Sequence, residues 1–173
     1  LSKVLQTQLY NKLNINFKFS QNIKYNFFPR PNFTITNSTI FDEKKEISKV
    51  KKLKIFITLD NFISLQNIKI KDLNFENPNF NFNKENYNFF IQLLSQNFKN
   101  GNLTIKNSNV FFKNSVDEVL FINKILKMKY IYDSKEAKNI FYSDNEIFNI
   151  PFSIESFFDQ DNSKIFSLIN LNL

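Results

Sequence analysis

The sequence predicts a mainly β fold, a long curved antiparallel sheet forming an open groove, accompanied by two short helices. Three observations predict it. In the stretch Val50 to Phe82, Leu53, Ile55, Ile57 and Leu59 alternate with Lys52, Lys54, Phe56 and Thr58, the period-two pattern of a half-buried strand. After it, Ile68 and Ile70 are followed by Leu73 and Phe75, out of phase, so a β-bulge or sharp bend near Lys71-Asp72 is expected, and it would curl the sheet. The third is the scarcity of glycine. One Gly and four Pro leave Asn and Asp to make the turns, because these residues tolerate the left-handed region and close turns with their own side chains.

The elements follow in order within one domain, 1–173. Leu1, Val4, Leu5, Leu9 and Leu13 form a helical stripe, predicting an amphipathic helix over 1–13 that caps or leads into the sheet. The first strands occupy 14–84. Ile15, Phe17 and Phe19 alternate, as do Ile23, Tyr25 and Phe27, and the intervening Ser20-Gln21-Asn22 reads as a hairpin turn. Phe28-Pro29-Arg30-Pro31 marks a strand end, and Phe33 to Ile40 is a Thr- and Ile-rich strand. Asp60-Asn61 could cap a helical turn carrying Phe62, Ile63 and Leu65. A second helix is predicted over 86–98, with Gly101 behind it as a cap or tight turn. A strand meander is predicted over 102–173: Leu103 to Phe112, Asp117 to Asp133, Phe141 to Ser143, Glu146 to Ile154 and Ile165 to Leu173. Three segments share a plan of alternation, polar break and alternation resumed out of phase, namely Phe33 to Ile40, Ile68 to Phe75 and Leu103 to Phe112.

The composition narrows the chemistry. Without His or Cys the chain lacks the commonest general base at neutral pH, the commonest metal ligand and any thiol nucleophile, so no enzyme activity, cofactor or metal is expected. Asp117-Glu118 and Asp159-Gln160-Asp161 sit in predicted turns, without the glycine-punctuated loop that calcium requires. The excess of Lys, Asn, Ile and Phe, with a single Arg, suggests an AT-rich bacterial genome and discounts the net charge of +7. No run approaches the roughly 18 apolar residues of a membrane-spanning helix, and the chain is expected to be a piece of a longer one.

Three stretches together resemble the AsmA-like proteins of Gram-negative bacteria. FPRPNFTITNSTIF (Phe28 to Phe41) is similar to the family's proline-led strand ending in an I-x-N-x-x-I turn. Val50 to Phe82 is similar to its long alternating pattern ending in P-x-F-x-F, and NLTIKNSNVFF (Asn102 to Phe112) to its later L-x-I-x-N-x-x-V-x-F strand. In order and spacing they cover roughly Leu1 to Phe112. The resemblance implies a non-enzymatic envelope segment, in the periplasm and anchored to the inner membrane through a helix preceding this chain. There a hydrophobic β-groove takes part in phospholipid transport between membranes or in outer-membrane biogenesis.

A groove for phospholipid acyl chains needs contiguous apolar side chains on one uncovered sheet face. The candidates are Ile55, Ile57, Ile68, Ile70, Leu103 and Ile105, and the same residues fit an ordinary core covered by the helix at Tyr87 to Phe98. For basic headgroup docking the candidates are Lys49, Lys51, Lys52 and Lys54, which equally suit the solvated outward face of a strand. The near absence of Arg argues against base recognition, so no nucleic-acid partner is expected. The alternative function is a structural or interaction domain without lipid, such as an adhesin or scaffold.

Overall fold

A computed structural model describes residues 1–20, 22–43, 45–58, 68–95, 101–159 and 164–171. Its elements are α1 (Ser2–Leu13), β1 (Asn16–Lys18), β2 (Ile23–Asn26), β3 (Asn32–Asp42), β4 (Lys45–Ile57), β5 (Ile70–Phe82), α2 (Tyr87–Ser95), β6 (Leu103–Lys113), β7 (Val119–Asp133), β8 (Lys138–Ile147), β9 (Ile150–Asp159) and β10 (Lys164–Leu171). The strands form one open sheet in the order β1-β3-β4-β5-β6-β7-β8-β9-β10, with β2 also on β3. The mainly β, curved, two-helix architecture expected from the sequence is the one observed. The helical turn expected at Asp60 to Leu65, the helix end at 96–98 and Gln160-Asp161 lie outside the described residues.

Curvature is visible in one aromatic contact. Phe17 on β1 stacks on Phe75 on β5 at 6.2 Å between ring centroids, although β3 and β4 lie between them. Three strand spacings on a flat sheet would separate them by about 14 Å. The sheet therefore curls around the apolar side chains of one face, here called inner.

Two expectations are corrected. β1 and β2 are not a hairpin: both pair antiparallel with β3, β1 at Thr39–Phe41 and β2 at Asn32–Ile35, as two collinear pieces of an edge strand. Between them the Ser20 hydroxyl donates to the Thr36 carbonyl. The sheet is also not antiparallel throughout, since β5 and β6 run parallel, joined through α2. The start of α2 is built by asparagines, with Asn83 Oδ1 accepting from the Glu85 and Asn86 amides and the buried Asn86 Oδ1 accepting from the Asn83 amide.

The repeat is real, with a different middle member. The parallel register aligns Leu73 with Leu103, Phe75 with Ile105 and Phe80 with Val110, so the partner of Leu103–Phe112 is Leu73–Phe82, not Ile68–Phe75. The shared plan places Asn37, Asn77 and Asn107 at φ 56°, 52° and 53°. Asn37 and Asn77 flank Lys51 on β4, Asn107 neighbours Asn77, and Leu126 on β7 lies beyond Asn107. These positions form a crease across five strands. On each side of it the alternation changes phase, so Ile35 and Ser38, Leu53 and Val50, Phe75 and Pro78, and Ile105 and Ser108 are all buried. The β7–β8 register absorbs the crease at Leu126, and β8 to β10 carry none. The bulge expected near Lys71-Asp72 is a separate feature: Ile55 pairs with Leu73 but Ile57 with Ile70, leaving one extra residue on β5.

Asn and Asp take left-handed positions at Asn14, where that residue ends α1, and at Asp117 and Asn149 in hairpin turns, but Glu43 and Ala137 take them in the β3–β4 and β7–β8 turns, against the expectation that Asn and Asp make all the turns. Gly101 itself has no positive φ. It is required because a Cβ there would lie 1.7 Å from the Lys71 carbonyl oxygen, where the chain entering β6 crosses the β5 bulge. The strand predicted over Glu146 to Ile154 is instead a hairpin, turning at Phe148 and Asn149, both at positive φ.

A left-handed backbone costs about 1–2 kcal/mol for a residue that cannot adopt it readily. Asn107→Val is therefore expected to lower unfolding free energy by that amount and Asn107→Gly to leave it nearly unchanged. Urea denaturation of the two variants checks this.

Candidate functional site

The inner face is covered on one half and open on the other. Helix α1 supplies the cover through its i, i+4 stripe Leu5, Leu9 and Leu13, all fully buried. Its last turn is tied down by Lys12, whose Nζ donates to the carbonyls of Ile70 at 2.8 Å and Lys71 at 3.2 Å, at the β5 bulge. Burial pushes the Lys12 ammonium below its usual pKa, and the Asp72 carboxylate opposes part of that shift. Helix α2 adds Phe90, which meets Phe80 and Phe82 at 6.2 Å and 5.1 Å.

All six groove candidates lie in the covered half. Ile55, Ile57, Ile68, Ile70, Leu103 and Ile105 belong to one continuous core with Leu5, Leu9 and Leu13, and none is more than 8% exposed. Among the described residues the face they line is closed, so the space for a long apolar ligand has to be sought elsewhere on it.

It is found from β7 to β10. The registers put Ile125, Asn145, Phe152 and Leu171 in one inner row, Met128, Ser143, Ile154 and Ile169 in the next, and Tyr130, Phe141, Ser156 and Ser167 in a third. Ile125, Met128 and Tyr130 are buried, Phe152 and Ile154 are half-buried, and Ile169 and Leu171 are 59% and 63% exposed. Exposure is thus low on β7 and β8, where Asn145 and Ser143 are also buried, and high on β10. Polar groups in and beside these rows bond one another: Asn145 Nδ2 donates to the Ser143 carbonyl and hydroxyl, Asn123 Nδ2 to Asn145 Oδ1, and Ser156 and Ser167 share a 2.7 Å hydrogen bond, while Asn123 Oδ1 is buried without a hydrogen-bond partner.

The four lysine candidates do come together, on the opposite, outer face. Two are already engaged, with Lys52 and Lys54 reaching Glu76 at 3.0 Å and 2.9 Å, while Lys49 stands 3.7 Å from Glu46. Lys51 is exposed at the crease. The burial of Glu76 would raise its carboxyl, but hydrogen bonds and charge from Lys54 and Lys52 outweigh this and hold it below its ordinary 4.5. Sequence reasoning missed Lys106, Lys127 and Lys129. They join the outer face because Glu76 pairs with Lys106, Lys106 with Lys127, and Thr104 with Lys129. No local pattern announces that arrangement. With Arg30, Asn74 and Asn102 they line a shallow outer hollow of about 370 Å³, in which Arg30 is paired to Asp72 and lies 4.6 Å over the Phe56 ring.

Among the described residues no group of three or more His, Cys, Asp or Glu could hold a metal, and no helix is long and apolar enough to cross a membrane. Comparison of the sequence with protein-family models and with curated proteins returns no match.

The Glu76 carboxyl titrates lower in the folded chain than in the unfolded one. Its contribution is therefore present above pH 4.5 and is lost as pH falls through the lowered value. Glu76→Gln is expected to be less stable than the native chain by up to about 1 kcal/mol at pH 7. The gap should close in acid, as read from urea midpoints across the pH range.

Proposed function

We propose that this chain is a non-enzymatic, lipid-holding segment of a bacterial envelope protein, and that phospholipid acyl chains lie along the open half of the inner face, over Phe152, Ile154, Ile169 and Leu171. The observation that carries the reading is the change of exposure along one sheet face, which is closed under α1 and presents Phe152, Ile154, Ile169 and Leu171 at β9 and β10 beyond the polar Asn145 and Ser143 of β8. A methylene laid against such a surface contributes on the order of 0.8 kcal/mol, so a tail can be held without a polar anchor. The likeness to AsmA-like proteins supplies the wider setting: a periplasmic parent held at the inner membrane, moving phospholipid between membranes or serving outer-membrane assembly. The outer lysines are not read as a nucleic-acid site, since Lys52 and Lys54 are committed to Glu76.

A second reading, a scaffold or adhesin domain without lipid, is favoured by β10. It is apolar on both faces, where a lipid slot needs only one.

Native mass spectrometry of gently purified protein, with parallel lipid extraction, separates the two readings. The lipid reading expects bound phospholipid, lost in the double variant Ile154→Glu with Ile169→Glu and retained in Leu126→Glu, an exposed change at the outer side of the crease. A lipid-free native chain, or equal lipid in all three proteins, overturns it.

A further inference from the structure

We propose that the outer hollow at Lys106, Lys127 and Lys129 binds a phosphate monoester carried on a small hydroxyl-bearing body, either a free polyol phosphate or the same group as a lipid head. The hollow lies on the face opposite the open apolar rows, so the proposal does not rest on the holding of acyl chains there.

The three lysines stand out on their own face. Lys106 of β6 and Lys127 of β7 are direct antiparallel partners, whose Cα atoms lie about 5 Å apart. Lys129 is the next outer residue along β7, opposite Thr104. All three are exposed, and like charges placed directly opposite one another destabilise a strand pair. Elsewhere on this face the lysines are neutralised, Lys52 and Lys54 by Glu76 and Lys124 by Glu146.

No carboxylate among the described residues does the same for Lys106, Lys127 or Lys129. Glu76 stands beside Lys106 in the register but is held from its other side by the two β4 lysines. Asp144 stands opposite Lys127 without forming an ion pair with it. Glu155, opposite Tyr142, is engaged by the hydroxyl of that tyrosine. Three ammonium groups therefore converge without an internal anion, the condition that an anionic ligand would relieve.

The rest of the hollow has a set shape. Arg30 is held by one oxygen of the Asp72 carboxylate, and the other oxygen accepts from the Asn102 backbone amide at 3.0 Å. The lining thus carries four cations against one carboxylate, and that carboxylate is already shared. Such an excess suits a dianion. Asn74 and Thr104, paired in the β5–β6 register, lie between Arg30 and the lysines as neutral hydrogen-bonding groups. Asn74 Oδ1 has no hydrogen-bond partner, so turning that amide toward a ligand breaks no bond at this atom. The volume of about 370 Å³ exceeds what a phosphate group alone fills and leaves room for the hydroxyl-bearing body. A nucleic acid fits less well, because the Phe56 ring lies under Arg30 and offers no plate on which a base could stack.

The test titrates the native chain with glycerol 3-phosphate at low ionic strength, read by calorimetry, with glycerol as the control. One saturable site is expected for the phosphate and none for glycerol. Lys106→Gln combined with Lys127→Gln is expected to weaken that site at least about tenfold, since two charged hydrogen bonds are lost. Lys49→Gln combined with Lys51→Gln, on the same face but outside the hollow, should keep the native affinity. Flotation with vesicles containing phosphatidic acid, which bears the same monoester, identifies the source. Vesicle binding without soluble binding, lost in the Lys106 and Lys127 double variant, assigns the group to a lipid head, and soluble binding assigns it to a free ester. Absence of binding in both assays, equal binding by the two double variants, or binding of glycerol itself would each overturn the proposal. The lipid extracted with the native chain should be the same in the Lys106 and Lys127 double variant, so the two readings fail separately.

Discussion

A strand that bends sharply ordinarily loses its alternation, because one added residue turns every following side chain to the other face. In this chain the bend is made by a left-handed asparagine at the same level on β3, β5 and β6, with Lys51 and Leu126 filling the level on β4 and β7. Because neighbouring strands change phase together, their ladders stay in register and their apolar side chains stay on the inner face. The curled sheet, the Phe17–Phe75 contact and the single continuous core depend on this coincidence. Asparagine is suited to the position, since its short amide tolerates the left-handed region that β-branched residues resist. The residues that follow it inward are Ser38, Pro78 and Ser108. The two serine hydroxyls are buried without a hydrogen-bond partner in the structure, a cost that smallness at the fold line must offset.

The division of the inner face follows from where the helices can reach. Helix α1 precedes the edge strand and packs against β1 and β5, and α2 is committed to the parallel crossover. Neither belongs to the meander that follows β6, where each strand pairs antiparallel with its predecessor. The same face is thus core at Ile55 and Leu103 and open surface at Ile169 and Leu171. The chemistry of the side chains does not distinguish these places; the cover does.

That is also why the fold was legible in the sequence and the candidate site only in part. Alternation and phase shifts in Leu53 to Phe75 and in Leu103 to Phe112 expose strands, bulge and crease directly, because both are properties of consecutive residues. The hairpin at Phe148-Asn149 escaped because Phe is a poor marker of positive φ, and the break between β1 and β2 escaped because collinear pieces and a hairpin have the same local pattern. The parallel β5–β6 pair was written in the repeat, but reading Ile68 rather than Leu73 as its start hid the alignment. Whether an isoleucine lines a slot or a core depends on a helix dozens of residues away, and no periodicity records that.

The anchoring of α1 has a consequence for the order in which the molecule comes apart. Almost every other contact in the sheet joins strands adjacent along the chain, so loops close cheaply and the meander can assemble strand by strand. The bond from Lys12 to Ile70 instead spans 58 residues. It closes late, and it is made by a partly buried ammonium whose charge the surroundings disfavour. Release of the helix breaks that bond and uncovers Leu5, Leu9 and Leu13 together with the core they cover. If the helix alone were lifted with the strands still paired, the covered half of the inner face would become continuous with the open half.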